Sequence, residues 1–106
     1  MVENKTKVDV MFRVDTSKEF RGTVFAILPY EIATLSGDVT IYQHVGQHSQ
    51  GDYASCIGFS RLASKIESND LRKEMESIGY EINLVSKRNH TKYTNALNTL
   101  RDARRN

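Results

Sequence analysis

Apolar positions in the first half of the chain follow the two-residue period of β-strands. Every second residue is apolar from residue 8 to residue 14, as expected for a strand with one buried face. Residues 23–28 form a nearly continuous apolar run, which predicts a strand buried on both faces that Pro29 ends or places at an edge. Residues 39–45 predict a third strand. Because the connections between these strands are short, they indicate an antiparallel meander.

The second half of the chain carries helical spacing and helix-ending signals. Ser64 and Glu67 match a capping box, in which the serine hydroxyl accepts from the backbone and the glutamate reaches back. A helix is therefore predicted to start at Ser64 and to end near Gly79, with an earlier start near Phe59 as the alternative. A last helix with one apolar stripe is predicted to begin after a cap at Asn89 or Thr91.

These elements predict an α+β domain. A fourth strand is expected between the helices, where Ile82 and Leu84 alternate with polar residues up to about Lys87. The order βββαβα predicts a small single domain over residues 1–106, with a mainly antiparallel sheet and two helices packed on one face. Residues 1–7 and the basic residues 101–106 are predicted to be frayed ends.

Composition narrows the class of protein. The chain has 106 residues, of which 39% are hydrophobic and 26% charged, so it lies far from the composition of disordered proteins. Cys56 is the single cysteine, which excludes an intramolecular disulfide and favours a reducing compartment. The longest apolar run, residues 24–28, is too short to cross a bilayer, and no signal-peptide pattern is present. We therefore expect a cytoplasmic protein with no membrane partner.

Charge is divided unevenly along the chain. Up to Ser86 there are 9 basic and 12 acidic residues, and after it 6 basic residues and one acidic residue, so the two parts carry −3 and +5. Lys87, Arg88 and Lys92 could follow phosphates, with His90 or Tyr93 stacking on a base. Arginines near the end of the last helix are equally explained by the helix dipole. The basic segment therefore predicts an acidic partner, either a nucleic acid or an acidic protein face.

The glycine-rich segment at residues 46–58 is predicted to be a functional loop, and two histidines precede or lie in it. His44 and His48 could bind zinc with Asp52 or His90, or act as acid and base in RNA cleavage beside a cation such as Arg88. No zinc-site spacing accompanies them. We favour instead that they hydrogen-bond the loop to the sheet. The nucleotide-binding motifs GxGxxG and GxxxxGK(S/T) do not occur, so no nucleotide or other cofactor is expected.

The segment Tyr42-Gln43-His44-Val45-Gly46-Gln47-His48 is the most distinctive in the chain. With Asp52-Tyr53, the residues 76–80 and the residues 87–93, it resembles a group of short uncharacterised proteins of bacterial phages and mobile elements, over roughly residues 8–100. Ser64-Lys65 stands where that group usually has Thr-Pro. The resemblance implies a genetic context and no chemistry. Accessory proteins of such elements often bind a host machine, and inhibition of a host defence system, as by anti-CRISPR proteins, is one such role.

Together these features predict a non-enzymatic accessory protein that binds a host or phage protein complex through the 46–58 segment and the basic last helix. The alternatives are a nucleic-acid-binding module that uses this helix, and a small histidine-dependent nuclease or metal enzyme. No catalytic or metal-binding residue is assigned. The candidate binding residues are Tyr42, His44, Gln47, His48, Asp52, Tyr53, Lys87, Arg88, His90, Lys92 and Tyr93.

Overall fold

The computed structural model describes residues 6–44 and 47–104 and has the predicted α+β class. The elements are β1 (Thr6–Asp15), β2 (Val24–Ile32), β3 (Val39–Gln43), β4 (Gln47–Gly51), α1 (Tyr53–Gly58), β5 (Ser60–Leu62), α2 (Lys65–Ser77), β6 (Tyr80–Leu84) and α3 (His90–Ala103). No helix in this described part of the chain is long and apolar enough to cross a membrane.

One sheet contains all six strands, in the order β4-β3-β2-β1-β5, with β6 also paired to β1. The meander β1-β2-β3-β4 is antiparallel throughout, as predicted for the first three strands. Two short strands share the second edge of β1: β6 pairs in parallel with its first half, and β5 pairs antiparallel with its last three residues. The strands β4 at one side and β5 with β6 at the other are therefore the sheet edges.

The core lies on both faces of β1 and β2. On the first face, α2 packs with Leu71 and Met75 against a cluster that includes Phe12 and Tyr42. On the second face lies a cluster of Met11, Phe25, Ile27, Val39, Ile41 and Cys56, with Tyr93 of α3 against it. The helices thus lie on opposite faces, whereas both were expected on one. The reason is that β1 buries odd-numbered as well as even-numbered side chains, which its apolar alternation does not reveal.

The segment 46–58 differs from the predicted loop. Its described part forms the edge strand β4 and the short helix α1. Polar residues suffice for β4 because an edge strand with exposed side chains needs no apolar alternation. Helix α1 begins at its N-cap Asp52, whose side chain accepts from the backbone of Ser55. The third strand ends at Gln43, and the rest of its predicted length includes Val45, which lies outside the described residues.

Both predicted helix starts have the expected caps. Ser64 and Glu67 form the complete capping box of α2, so the earlier start near Phe59 is wrong, and Asn89 rather than Thr91 caps α3. Gly79 follows α2 with φ of +109°, a backbone conformation that glycine adopts without strain. Of the predicted frayed ends, residues 1–5 and 105–106 lie outside the described part, whereas β1 begins at Thr6 and α3 continues to Ala103.

Candidate functional site

The sheet separates the sequence-predicted binding residues into two groups. Tyr42, His44 and His48 have their contacts on the face covered by α2. Tyr53, Arg88 and Tyr93 meet on the opposite face, between α1 and α3. The predicted set therefore does not form one site.

On the α2 face, Glu74 joins the distinctive YxHxGQH segment to helix α2. The buried Tyr42 hydroxyl donates to Glu74 Oε2 at 2.5 Å, and His44 Nδ1 lies 2.6 Å from Glu74 Oε1. The His44 side chain is 80% exposed and that of Glu74 only 21%. His48 Nε2 lies 3.0 Å from the Tyr80 hydroxyl. His44, just after β3, and His48, on β4, thus contact different partners and do not form one ligand site along a single strand.

Sequence reasoning missed Glu74, which is not among the predicted binding residues. A signal was available, because Glu74 follows Leu71 by three positions and so borders the buried stripe of α2. The candidate metal ligands are equally dispersed: Asp52 caps α1, and His90 begins α3. Within the residues that the structure describes, no three His, Cys, Asp or Glu side chains are grouped closely enough to hold a metal ion.

Arg88 lies between two tyrosine rings. Its guanidinium carbon is 4.0 Å from the ring centre of Tyr53 and 3.7 Å from that of Tyr93. Its backbone amide donates to the Tyr53 hydroxyl at 3.1 Å, and the Tyr93 hydroxyl donates to the Gly37 carbonyl at 2.7 Å. Because its guanidinium stacks on the Tyr53 ring of α1 and on the Tyr93 ring of α3, Arg88 joins the two helices. Its positive charge is therefore engaged in contacts within the fold.

Lys92 also has partners within the chain. Its ammonium lies 2.7 Å from Asp9 Oδ2 and 4.4 Å from the ring centre of Tyr30. Hydrogen bonds from Lys92 and from the amide of Asn83 lower the pKa of Asp9. Lys92 thereby ties α3 to β1. Of the predicted nucleic-acid-binding residues in this segment, Lys87, His90 and Lys92 are exposed, whereas Arg88 and Tyr93 are half-buried.

A groove that the sequence did not predict opens on the face opposite α2, between the sheet and α1. We call it the aromatic groove; its volume is about 390 Å³, and its apolar lining consists of Phe20, Phe25, Ile41, Gly51, Cys56 and Phe59. Phe25 is buried, with 5.8 Å between its ring centre and that of Phe59. Phe20 is 57% exposed and Phe59 38%. Exposed aromatic side chains around a buried floor are typical of binding sites.

The rim of the aromatic groove is polar and acidic. Asp52 is exposed there, whereas Asp15 is buried and accepts from the backbone amide and the hydroxyl of Ser17. The other polar lining residues are neutral, and no described lining residue is cationic. The backbone amide and the hydroxyl of Ser55, at 3.0 and 2.9 Å, lower the pKa of Asp52, which is therefore charged near neutral pH. Burial raises the pKa of the Cys56 thiol, so this residue contributes a neutral apolar surface and no thiolate.

The groove reaches the edge strand β4, three of whose residues, Ser49, Gln50 and Gly51, line it. Among the described strands β4 pairs only with β3, and its residues 47–50 are exposed. Its sequence, Gln-His-Ser-Gln-Gly, has no carboxylate, lysine, arginine or proline. Charged side chains and proline commonly protect a sheet edge from pairing with another chain, and β4 has neither. Within the described residues, the backbone edge of β4 is therefore available to an added strand.

Of the sequence-predicted residues, Asp52 lies on the groove, and Gln47 and His48 lie on the β4 edge. Phe20 and Phe59 were missed as binding residues, although a phenylalanine within the charged turn at residues 15–21 is a visible signal. Comparisons with protein-family models, with curated protein sequences and with solved structures gave no match.

Proposed function

We propose that the protein is a small non-enzymatic binding protein, and that another protein binds at the aromatic groove and the adjoining edge of β4. One observation carries this proposal: two exposed phenylalanines and an uncharged, exposed edge strand border the same groove. Aromatic side chains around a well-packed pocket are enriched at protein interfaces and contribute much of their binding energy.

The biological setting in this proposal comes from the resemblance of the YxHxGQH segment to proteins of phages and mobile elements. In that setting the protein is an accessory protein, and its partner is a host protein complex. A host defence system is the partner class that would make the protein an inhibitor. The resemblance supports this setting, and the groove supports the mode of binding.

The charges favour a protein partner over a nucleic acid. Arg88 is enclosed by two tyrosines, and Lys92 is paired with Asp9, so both cations are already neutralised or stacked. The groove itself presents the exposed Asp52 and contains the buried Asp15, and both carboxylates disfavour a phosphate backbone. The basic last helix is thus less available to nucleic acid than its sequence indicates.

The polar clusters also favour binding over catalysis. A nucleophile needs a depressed pKa or an adjacent base, and burial raises the pKa of the Cys56 thiol. His44 and His48 contact Glu74 and Tyr80, respectively, in positions that join secondary-structure elements. These contacts support a structural role for the histidine pair.

The proposal is tested by crosslinking and capture from host cells, with quantification by mass spectrometry. The wild type is compared with Phe20→Ser and Phe59→Ser. The matched control is Ile66→Ser, which removes an apolar side chain that is 89% exposed on α2, away from the groove. Thermal melts verify that all four proteins are folded.

We expect one protein species to be captured by the wild type and by Ile66→Ser, and its recovery to fall about tenfold or more with either phenylalanine variant. Equal recovery with all four proteins would exclude the groove as the binding site. If nuclease treatment abolished recovery of the captured protein, the result would favour the nucleic-acid alternative.

A further inference from the structure

We propose that the groove receives an extended polypeptide segment, which adds as a strand to β4 and places an aromatic side chain, flanked by basic residues, in the aromatic groove. This inference rests on the proposed function and specifies the chemistry of the partner. It combines the backbone edge of β4, the apolar lining and the acidic rim into one recognition mode.

The register of the sheet directs side chains of an added strand into the groove. Ser49 pairs with Ile41, and Gly51 pairs with Val39. Ile41 and Val39 belong to the cluster on the groove side of the sheet, so alternate positions of β4 face that side. In an added strand every second side chain therefore lies over the groove, with about 7 Å between successive ones. Strand addition commonly obtains its specificity from pockets for alternate side chains.

Gly51 determines how closely α1 approaches the edge strand. A Cβ atom at this position would lie 3.2 Å from Cys56 Sγ, which is shorter than an ordinary van der Waals contact. It would lie 3.5 Å from Ile41 Cγ1, which is an ordinary contact distance. The glycine thus lets α1 pack directly against the end of β4. Consequently α1 forms a wall of the groove beside the edge strand, with Ser55 on the helix and Phe59 directly after it.

Size and lining favour one large apolar side chain. A volume of about 390 Å³ is near the lower end of the range for ligand sites, about 300 to 1,000 Å³. Phe20 and Phe59 offer exposed ring surface, and aromatic pairs gain stability beyond simple area burial. An aromatic residue of a peptide is therefore an occupant that matches this lining.

The carboxylates of the groove favour basic residues in the bound segment. The exposed Asp52 and the buried Asp15 line the groove, and no cation lies among its described lining residues. Asp52 directly follows β4, so a lysine or arginine near one end of an added strand can reach it. An acidic or phosphorylated segment would bring like charges together. The same argument disfavours a nucleic acid at this groove.

The test is an NMR titration of the full chain with the peptide Thr-Lys-Thr-Phe-Thr-Lys-Thr, whose sequence is the same in both directions and therefore suits either strand orientation. Two control peptides replace Phe by Ala or both Lys by Glu. Two further peptides carry N-methyl groups on the Lys and Phe nitrogens or on the inner Thr nitrogens. Strand pairing uses alternate amides, so only one methylated set should interfere.

We expect amide shifts in β4 and around the groove, with affinity about tenfold or more weaker for the Ala and Glu peptides. One methylated peptide should lose binding, and the other should bind within about twofold of the parent. Phe59→Ser should lose the shifts, and Ile66→Ser should keep them. Equal shifts with all peptides, shifts confined to α2, or no shifts at about 2 mM peptide would each overturn the inference.

These outcomes are separable from failure of the proposed function. If capture from host cells depends on Phe20 and Phe59 but the peptide does not bind, only the inference about the segment falls. Light scattering on the free protein checks the competing occupant. A wild-type dimer that Phe59→Ser dissociates would assign the groove to a second copy of the chain and would overturn the inference.

Discussion

Tyr42 and His48 lie directly opposite each other across the β3–β4 pair, and their rings meet edge to face with 4.8 Å between centres. Tyr42 is fully buried, whereas His48 is exposed and also hydrogen-bonds Tyr80 on β6. The histidine therefore covers a core tyrosine and ties the edge strand β4 to an element near the opposite edge of the sheet. This arrangement fixes the edge to which the proposed partner strand would add.

The first prediction compares the two histidines. Replacing His48 with alanine removes an aromatic contact and a hydrogen bond, and should lower the free energy of unfolding by about 1 to 2 kcal/mol. Replacing the highly exposed His44 should lower it by less than about 1 kcal/mol, because a polar contact of an exposed side chain contributes little. Urea unfolding of both variants measures the difference. A larger loss for His44→Ala would contradict the ranking.

The second prediction concerns Gly37, in the turn before β3. Its φ is +104°, and a side chain there would collide with the hydroxyl of Tyr93. Gly37→Ala should therefore lower stability by about 2 to 3 kcal/mol, from backbone strain and collision together. The control Gly22→Ala, with φ of +91° and open space around it, should lose only about 1 to 2 kcal/mol. Equal losses, measured by urea unfolding, would show that Tyr93 adjusts freely.

Local signals in the sequence predicted much of the fold. The capping box at Ser64 and the cap at Asn89 depend on residues within one helical turn, so they can be recognised without tertiary information. Strands β1 to β3 were predictable because their apolar residues form local patterns along the chain. Strand β4 was not, because its pairing with β3 depends on a neighbouring strand and not on its own polar residues.

The candidate site was less accessible from sequence because it is assembled from distant positions. Phe20, Phe25 and Phe59 come from a turn, a strand and a helix end, and only the folded sheet brings them together. The charge asymmetry was real, but the sequence could not reveal that Arg88 is enclosed by tyrosines and that Lys92 pairs with Asp9. Such pairings depend on the strand order and on which face each helix covers.

The third prediction tests the cap of α2. The Ser64 hydroxyl accepts from the Glu67 amide at 3.1 Å, and the Ser64 amide donates to Glu67 Oε1 at 2.8 Å. Ser64→Ala should cost about 0.5 to 2 kcal/mol of stability, since one amide loses its acceptor. Ser86→Ala, at an exposed position before α3, is the control and should stay within about 0.5 kcal/mol of the wild type. Indistinguishable thermal melts of the two variants would contradict the role of the cap.

The fourth prediction is a pH dependence. Hydrogen bonds from Arg61 and from the Ser64 amide lower the pKa of Glu67 from 4.5 to about 2. Since the carboxylate is more acidic in the folded state, its stabilisation is fully present above about pH 4.5 and is lost as the pH falls toward 2. The difference in melting temperature between the wild type and Glu67→Gln should therefore shrink over that interval. A difference that is independent of pH would contradict the assignment, and the exposed Glu81→Gln serves as the control for charge removal alone.

The fifth prediction separates a structural from a nucleic-acid-binding role of the basic segment. Because Arg88 contacts two tyrosine rings, Arg88→Ala should lower the free energy of unfolding by about 1 to 2 kcal/mol. The matched variant Lys87→Ala, at an exposed neighbouring position, should change it by less than about 0.5 kcal/mol.

A titration of the wild type and both variants with single-stranded RNA at several salt concentrations completes this test. If the segment bound phosphates, log affinity would fall with log salt by about 0.7 per contacted phosphate, and Lys87→Ala would reduce that slope. We expect no salt-dependent binding by any of the three proteins, because Arg88 is stacked and Lys92 is paired with Asp9. A salt slope that Lys87→Ala diminishes, with unchanged stability in Arg88→Ala, would instead establish the basic segment as a nucleic-acid contact.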